Sequence, residues 1–254
     1  MNFVLLEKYL KAYKENFQYV NRNEIYKWQV LKVFQDNWNI NAVDFPGMLE
    51  ASLTETDNLL TSTNYYPKRM VVFNARSSPE EVRVLFSELF DEEKDLTIRL
   101  NIFSEKFEKL NKKNHSDKPK DYQDHRAMMV YLTLRYPERY FLYKYGMFAK
   151  FCEKLEYPYA FAKGKNENVV QFLNVCQMCK AFLRQDQELV RLHENRLKDN
   201  CYRDTSLNIL TQDFIYSITE YLDKFIALED QIERRAVAGS IEKISSDVPF
   251  PYED

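Results

Sequence analysis

Apolar side chains recur every three or four positions along most of this chain, which is the spacing of one face of an α-helix. The pattern predicts a first helix over Phe3–Val20 and a second over Glu24–Trp38. Asp44 is the expected N-cap of a third helix, because Pro46 loses no hydrogen bond in a first helical turn. These segments indicate helices joined by polar loops.

The same spacing continues through the second half of the chain. Ser78-Pro79-Glu80-Glu81 has the form of a capping box and predicts a helix that ends near Phe90. Further helices are predicted at 91–112, 122–136, 166–183, 186–198 and 207–229. The predicted fold class is therefore all-α, a multi-helix globular domain.

Three stretches interrupt the helical pattern. Residues 140–148 (YFLYKYGMF) are rich in aromatic side chains and predict a short strand or an irregular connector. Residues 113–121 are polar, basic and proline-containing, as exposed linkers are, and would separate a lobe at 3–112 from a lobe at 122–230. Residues 231–254 lack periodicity and are expected to be a tail or a junction to a further domain.

Composition agrees with a helical fold and bears on the cellular compartment of the protein. Only four glycines occur in 254 residues, which is few for the positive-φ turns that hairpins need. The net charge of −3 argues against a surface coated evenly with Lys and Arg. No run approaches the roughly 18 to 20 apolar residues of a membrane-spanning helix, and Glu7 comes too early for a signal-peptide core. We expect a cytoplasmic protein with no membrane partner.

The sequence lacks complete catalytic and metal-binding motifs. Gly164-Lys165-Asn166 is missing the first glycine and the Ser or Thr of a phosphate-binding loop. Cys176 and Cys179 are spaced like half of a zinc site, but no second pair follows, and their helical spacing predicts core packing. We therefore expect a protein that is not an enzyme and that holds no cofactor or metal.

Asp121, Asp124 and His125 form a cluster of side chains that can serve in catalysis. They could act as a general base or bind a metal if folding supplied a further partner. The simpler interpretation is structural, because acids in the first turn of a helix interact favourably with its dipole.

Basic charge is concentrated between Arg126 and Lys165. Eight basic residues stand against three acidic ones there, a net charge of +5, which leaves −8 for the rest of the chain. Lys and Arg bind phosphates and aromatic rings stack on bases, so the segment predicts a DNA contact. Buried tyrosines and an ordinary solvated basic face remain the alternatives. The candidate contact residues are Arg126, Arg135, Arg139, Tyr140, Tyr143, Lys144, Tyr145, Lys150, Lys154, Lys163 and Lys165.

Several extended strings resemble a known family as a set. They include YKWQVLKVFQDNW at 26–38, DFPGMLEASLTETDNLLTSTNYYPKRM at 44–70, YLTLRYPERYFLYKY at 131–145 and LTQDFIY at 210–216. Together they resemble the N-terminal region that precedes the AAA+ motor in McrB-like proteins of bacterial modification-dependent restriction systems, which act in phage defence. The resemblance spans about Phe3 to Leu222 and includes no catalytic signature.

This resemblance implies a division of labour. The N-terminal region of such proteins recognises DNA or another invader-derived signal, the AAA+ motor hydrolyses nucleotide, and a separate nuclease subunit cuts. The present chain has no phosphate-binding loop, so the resemblance implies a recognition domain without its motor. Two hypotheses follow: a DNA-recognition domain, or a helical scaffold that orients the motor or recruits the nuclease through protein contacts.

Overall fold

The structure, a computed structural model, describes residues 1–115, 117, 120–232 and 234. Within these residues the chain forms thirteen named helices and no strand, which confirms the all-α prediction. The helices are α1 (Phe3–Glu15), α2 (Phe17–Glu24), α3 (Tyr26–Asn37), α4 (Phe45–Ser52), α5 (Asp57–Leu60), α6 (Pro67–Ser77), α7 (Pro79–Leu89), α8 (Leu96–Asn114), α9 (His125–Arg135), α10 (Tyr145–Lys154), α11 (Glu167–Leu183), α12 (Gln187–Arg196) and α13 (Asn208–Glu220). Residues 222–232 are again helical.

Side-chain caps fix several of the predicted helix starts. Asp44 accepts a hydrogen bond from the Gly47 amide at 3.0 Å, which confirms it as the N-cap of α4. Asp95 caps α8 by accepting from the Thr97 amide at 2.8 Å, so this helix begins later than the prediction at 91–112. An acidic side chain at these positions satisfies amides that no helical carbonyl can reach.

Two local predictions are wrong in detail. Asn16 breaks the first predicted helix into α1 and α2, and its own amide and side chain both donate to the Ala12 carbonyl. Ser78 does precede α7, but its hydroxyl donates to Asn114 Oδ1 at 3.1 Å and makes no capping bond. The predicted capping box is therefore absent, and the Ser78 hydroxyl instead links the start of α7 to α8.

The predicted connector at 140–148 divides into two parts. Residues 140–144 have no regular structure and form no strand, which confirms an irregular connector there. Residues 145–148 belong to α10, so the prediction is wrong for them.

Two helices lie inside the molecule rather than on its surface. Residues 127–134 of α9 are all buried, and α13 is buried at every position from Asn208 to Thr219 except Tyr216. Helix α9 packs against α3 and α5, and α13 packs against α1, α10 and α11. A helix that is buried all round shows little amphipathic contrast, which is why its neighbours, not its own pattern, decide its position.

The N-terminal helices contact both predicted lobes. Helix α1 packs on α13, and the Trp28 carbonyl accepts from the Tyr202 amide at 2.9 Å. The division into lobes at 3–112 and 122–230 stays a prediction. The predicted linker at 113–121 and the predicted tail at 231–254 lie partly outside the described residues.

Asp213, on α13, is the centre of a buried set of charges. Its Oδ2 accepts from the Tyr13 hydroxyl at 2.7 Å, and its Oδ1 lies 2.9 Å from Nζ of Lys27. Nη1 of Arg196 lies 3.4 Å from the same Oδ2. The Lys27 and Arg196 side chains are each only 2% exposed. Asp213 therefore ties α1, α3 and α12 to α13.

The pKa values of this set favour its ionised form. Burial alone would raise the pKa of Asp213, but Lys27 and Arg196 hold it below its ordinary value. Burial alone would lower the pKa of Lys27, but Asp213 and Glu24 raise it above its ordinary value. Opposite charges that are buried together stabilise one another only while both remain in place.

Arg196 also connects this set to a histidine and a second buried acid. Its Nε donates to Nδ1 of His193 at 3.3 Å, so the neutral ring holds its proton on Nε2, which faces Oδ2 of Asp204 at 3.5 Å. Asp204 Oδ2 accepts from the Leu210 amide at 2.9 Å. Burial and the charge of Arg196 lower the pKa of His193 to about 3, and burial raises the pKa of Asp204 to about 6.

The first prediction concerns the Asp213 carboxylate. Asp213→Ala leaves Lys27 and Arg196 buried beside one fewer counter-charge, and we expect the free energy of unfolding to fall by about 3 to 5 kcal/mol. The control is Asp36→Ala, which removes the exposed pair with Lys32 and should cost at most about 1 kcal/mol. Urea unfolding at neutral pH measures both. Equal losses for the two variants would show that the buried charges are dispensable.

The second prediction concerns pH and His193. The unfolded chain protonates this side chain near pH 6.5 and the folded chain only near pH 3, so its contribution to stability declines as pH falls below about 6.5. His193→Gln removes that titration. The free energy of unfolding of the unsubstituted protein, minus that of the variant, should therefore decrease by about 2 kcal/mol between about pH 7.5 and pH 5. If this difference in free energy of unfolding did not change with pH, His193 would gain its proton as readily in the folded core as in the unfolded chain, and the prediction would be wrong.

Candidate nucleic-acid interface

Three of the eight predicted cations are paired with acids from outside the basic segment. Such pairs leave less net positive charge for a phosphate backbone than the sequence count of +5 suggests. The pairs are Arg139 with Glu92 at 3.0 Å, Lys150 with Glu220 at 3.4 Å, and Lys154 with Asp223.

Two arginines of the segment lie over aromatic rings. The Arg126 guanidinium is 4.8 Å from the centre of the Tyr65 ring, and that of Arg135 is 4.7 Å from the centre of the Tyr136 ring. Both arginines are half-buried. Cation–π contact leaves their charge uncompensated but fixes one face of each guanidinium against protein.

The prediction that the tyrosines of this segment stack on bases is wrong for Tyr140 and Tyr143. They are 6% and 4% exposed, so neither presents a ring face to solvent. The Tyr140 hydroxyl contacts Glu92 at 2.8 Å and receives a hydrogen bond from Arg99 at 2.7 Å, and burial raises its pKa to about 12. The Tyr143 ring packs against Phe172 with 5.3 Å between centres. Both rings belong to the core.

Four predicted residues remain exposed without an ion pair in the part of the chain that the structure describes. They are Lys144, Tyr145, Lys163 and Lys165. The Tyr145 ring lies 5.6 Å from the ring of Phe161, which brings the start of α10 beside the loop at 156–166. We call Lys144, Tyr145, Phe161, Lys163 and Lys165 the basic-aromatic patch.

Asn166 fixes the loop that bears two of the patch lysines. Its Nδ2 donates to Asn101 Oδ1 at 2.9 Å on α8, and its Oδ1 accepts from Nε2 of His125 at 2.6 Å. Gly164 has a φ of +76°, a conformation that a residue with a Cβ rarely adopts. The loop therefore has a defined path, and a cleft of about 590 Å³ that Tyr159 and Lys165 help to line adjoins it.

Sequence reasoning missed Phe161 because it considered only the tyrosines of the segment. The available signal was its position in AFAKGK, between small residues and next to two lysines. Its ring also contacts Phe148 at 5.0 Å and Tyr159 at 4.8 Å, so it anchors the loop to α10.

The cluster of Asp121, Asp124 and His125 has a structural role in this fold. Asp124 is the N-cap of α9, where it accepts from the Ala127 amide at 3.0 Å and from the Tyr65 hydroxyl at 2.8 Å. Asp121 accepts from the Gln123 amide at 3.2 Å, and His125 contacts Asn166. Asp124 therefore caps the helix from the position before its first turn, and Asp121 lies outside the helix, so the prediction that both acids stand in a first turn is wrong.

The cysteines and the possible metal ligands add no second site. Cys176 and Cys179 are both 0% exposed within the core, as their helical spacing predicts. Burial raises the pKa of both thiols, which keeps them protonated and unreactive. Among the described residues, no three His, Cys, Asp or Glu side chains converge in a way that would hold a metal ion.

Comparisons with protein families, curated proteins and solved structures found no match to this chain. Within the described ranges, none of the helices combines the length and the low polarity that crossing a bilayer requires. The patch geometry is therefore the main structural guide to function.

Proposed function

We propose that this chain is a non-catalytic recognition domain of a McrB-like defence protein, and that it binds DNA through the basic-aromatic patch. The observation that carries the proposal is the contact between the exposed ring of Tyr145, which follows Lys144, and Phe161 on the loop that bears Lys163 and Lys165. None of the three lysines has an ion pair among the described residues. Ammonium groups attract a phosphate backbone, and an exposed ring offers a stacking surface to an unpaired base.

The fold and the family resemblance each support this proposal. Phe161, Lys163 and Lys165 of the patch lie on a loop that Asn166 and the Phe161 ring hold in place, so little backbone entropy would be lost on binding. The resemblance to McrB-like proteins adds the proposed setting, in which an AAA+ motor domain and a nuclease subunit are the partners in the bacterial cytoplasm. Cutting and nucleotide hydrolysis then belong to those partners.

A protein-binding scaffold is the second candidate function. A groove of about 450 Å³ lies between α7 and α8, with Leu85 and Leu110 in its lining and Val84 52% exposed. Lysines on the α8 side and glutamates on the α7 side border it. An amphipathic helix of the motor or nuclease subunit, acidic on one edge and basic on the other, is the partner that this groove fits.

The third prediction tests the patch. Combined Lys144→Ala, Lys163→Ala and Lys165→Ala substitutions should weaken DNA binding and reduce the slope of log affinity against log salt by about 2 to 3, because three phosphate contacts are lost. Fluorescence anisotropy with plain duplex, methylated duplex and single-stranded DNA, each at several salt concentrations, measures the affinity and the slope.

The control removes the same net charge from paired positions. Arg139→Ala, Lys150→Ala and Lys154→Ala together should change the slope much less, since their acidic partners already compensate them. Equal effects of the two triple variants, or no binding of any DNA by the unsubstituted chain at low salt, would refute the patch as a DNA contact. In the second case, co-purification with the AAA+ motor or nuclease subunit would favour the scaffold.

A further inference from the structure

Three aromatic rings lie in a row at the basic-aromatic patch. The ring of Phe161 is 5.6 Å from that of Tyr145, at an interplanar angle of 81°, and 4.8 Å from that of Tyr159, at 90°. Phe161 and Tyr159 are half-buried, whereas Tyr145 is 36% exposed at the start of α10. Tyr145 is therefore the most accessible ring of the row, and its contact with Phe161 joins it to the loop that bears Lys163 and Lys165.

An exposed ring among cations distinguishes single-stranded from duplex DNA. Lysine ammonium groups attract the phosphates of both forms. In a duplex the neighbouring base pairs cover the face of each base, so an aromatic side chain contacts only base edges or the backbone. A single strand exposes base faces, and stacking of a base on an aromatic ring then adds affinity. The exposed Tyr145 ring therefore has a binding partner in a single strand that a duplex does not offer.

The outer surface of α10 does not suit a duplex. Lys150 is paired with Glu220 and Lys154 with Asp223, so neither supplies an uncompensated positive charge. Glu153 is exposed on the same helix and would repel a phosphate. Proteins that read a duplex in its major groove place a helix or a two-stranded ribbon along that groove. Helix α10 offers a duplex no such line of positive charge.

We infer that the basic-aromatic patch binds single-stranded DNA in preference to duplex DNA, with one base stacked on the ring of Tyr145 and neighbouring phosphates held by Lys144, Lys163 and Lys165. The inference rests on the proposed DNA contact and specifies the class of DNA that this contact takes. Because every base has a π-face, the preference extends to strands of any sequence.

Fluorescence anisotropy with the full chain tests this inference. The probes are a short labelled DNA strand of mixed sequence, the same strand annealed to its complement, and an RNA strand of the same sequence, all at one low salt concentration. The single DNA strand should bind about tenfold more tightly than the duplex, because it alone gains the stacking contact.

Substitutions of Tyr145 locate the stacking contact. Tyr145→Leu removes the ring and should weaken binding of the single strand about tenfold, with little change for the duplex. Tyr145→Phe keeps the ring and should keep the affinity. The matched control is Tyr19→Leu on α2, outside the patch, where a 44% exposed tyrosine packs on the rings of Tyr221 and Phe225. The control should leave both affinities unchanged.

The possible results separate this inference from the proposed function. Equal affinity for single strand and duplex, or equal losses for Tyr145→Leu and Tyr19→Leu, would contradict the single-strand preference and leave the lysines as a DNA contact. No binding of any probe would instead remove the DNA contact itself. Tighter binding of the RNA strand than of the DNA strand would overturn the assignment to DNA. Thermal unfolding of each variant without ligand shows whether a loss of affinity is a loss of folding.

Discussion

The carboxylate of Asp213 is the constraint on which the rest of the structure depends. It occupies a helix that is buried on nearly every side, and three partners reach it from α1, α3 and α12. Hydrophobic packing alone would let these helices slide, because apolar contacts have little directionality. Hydrogen bonds to one fixed carboxylate require a single arrangement, since any displacement would leave a buried charge unpaired.

That arrangement also determines what the surface can offer. Arg196 reaches Asp213 from α12, and its buried Nη2 has no hydrogen-bond partner among the described residues. Helices α10 and α11 also pack on α13, and Phe148 of α10 contacts both Phe172 of α11 and Phe161 of the 156–166 loop.

The sequence allowed the helical class and several helix starts to be predicted, because caps such as Asp44 and apolar spacing are local signals. It could not separate Tyr143 from Tyr145, which stand two positions apart in the same aromatic run although the first is 4% exposed and the second 36%. Asp213 gave no signal either, since its partner Tyr13 lies 200 residues earlier in the chain. Burial of a polar residue is decided by tertiary packing, which a local pattern does not contain.

The central claim is that the Asp213 set makes the N-terminal and C-terminal helices one cooperative unit. Native-state hydrogen exchange across α3 and α13 tests it most directly, because it reports the free energy of opening helix by helix. The account predicts that the best-protected amides of both helices open with the same free energy, equal to that of global unfolding in denaturant. If α3 opened at a clearly lower free energy while α13 stayed protected, the two parts would fold separately and the claim would be wrong.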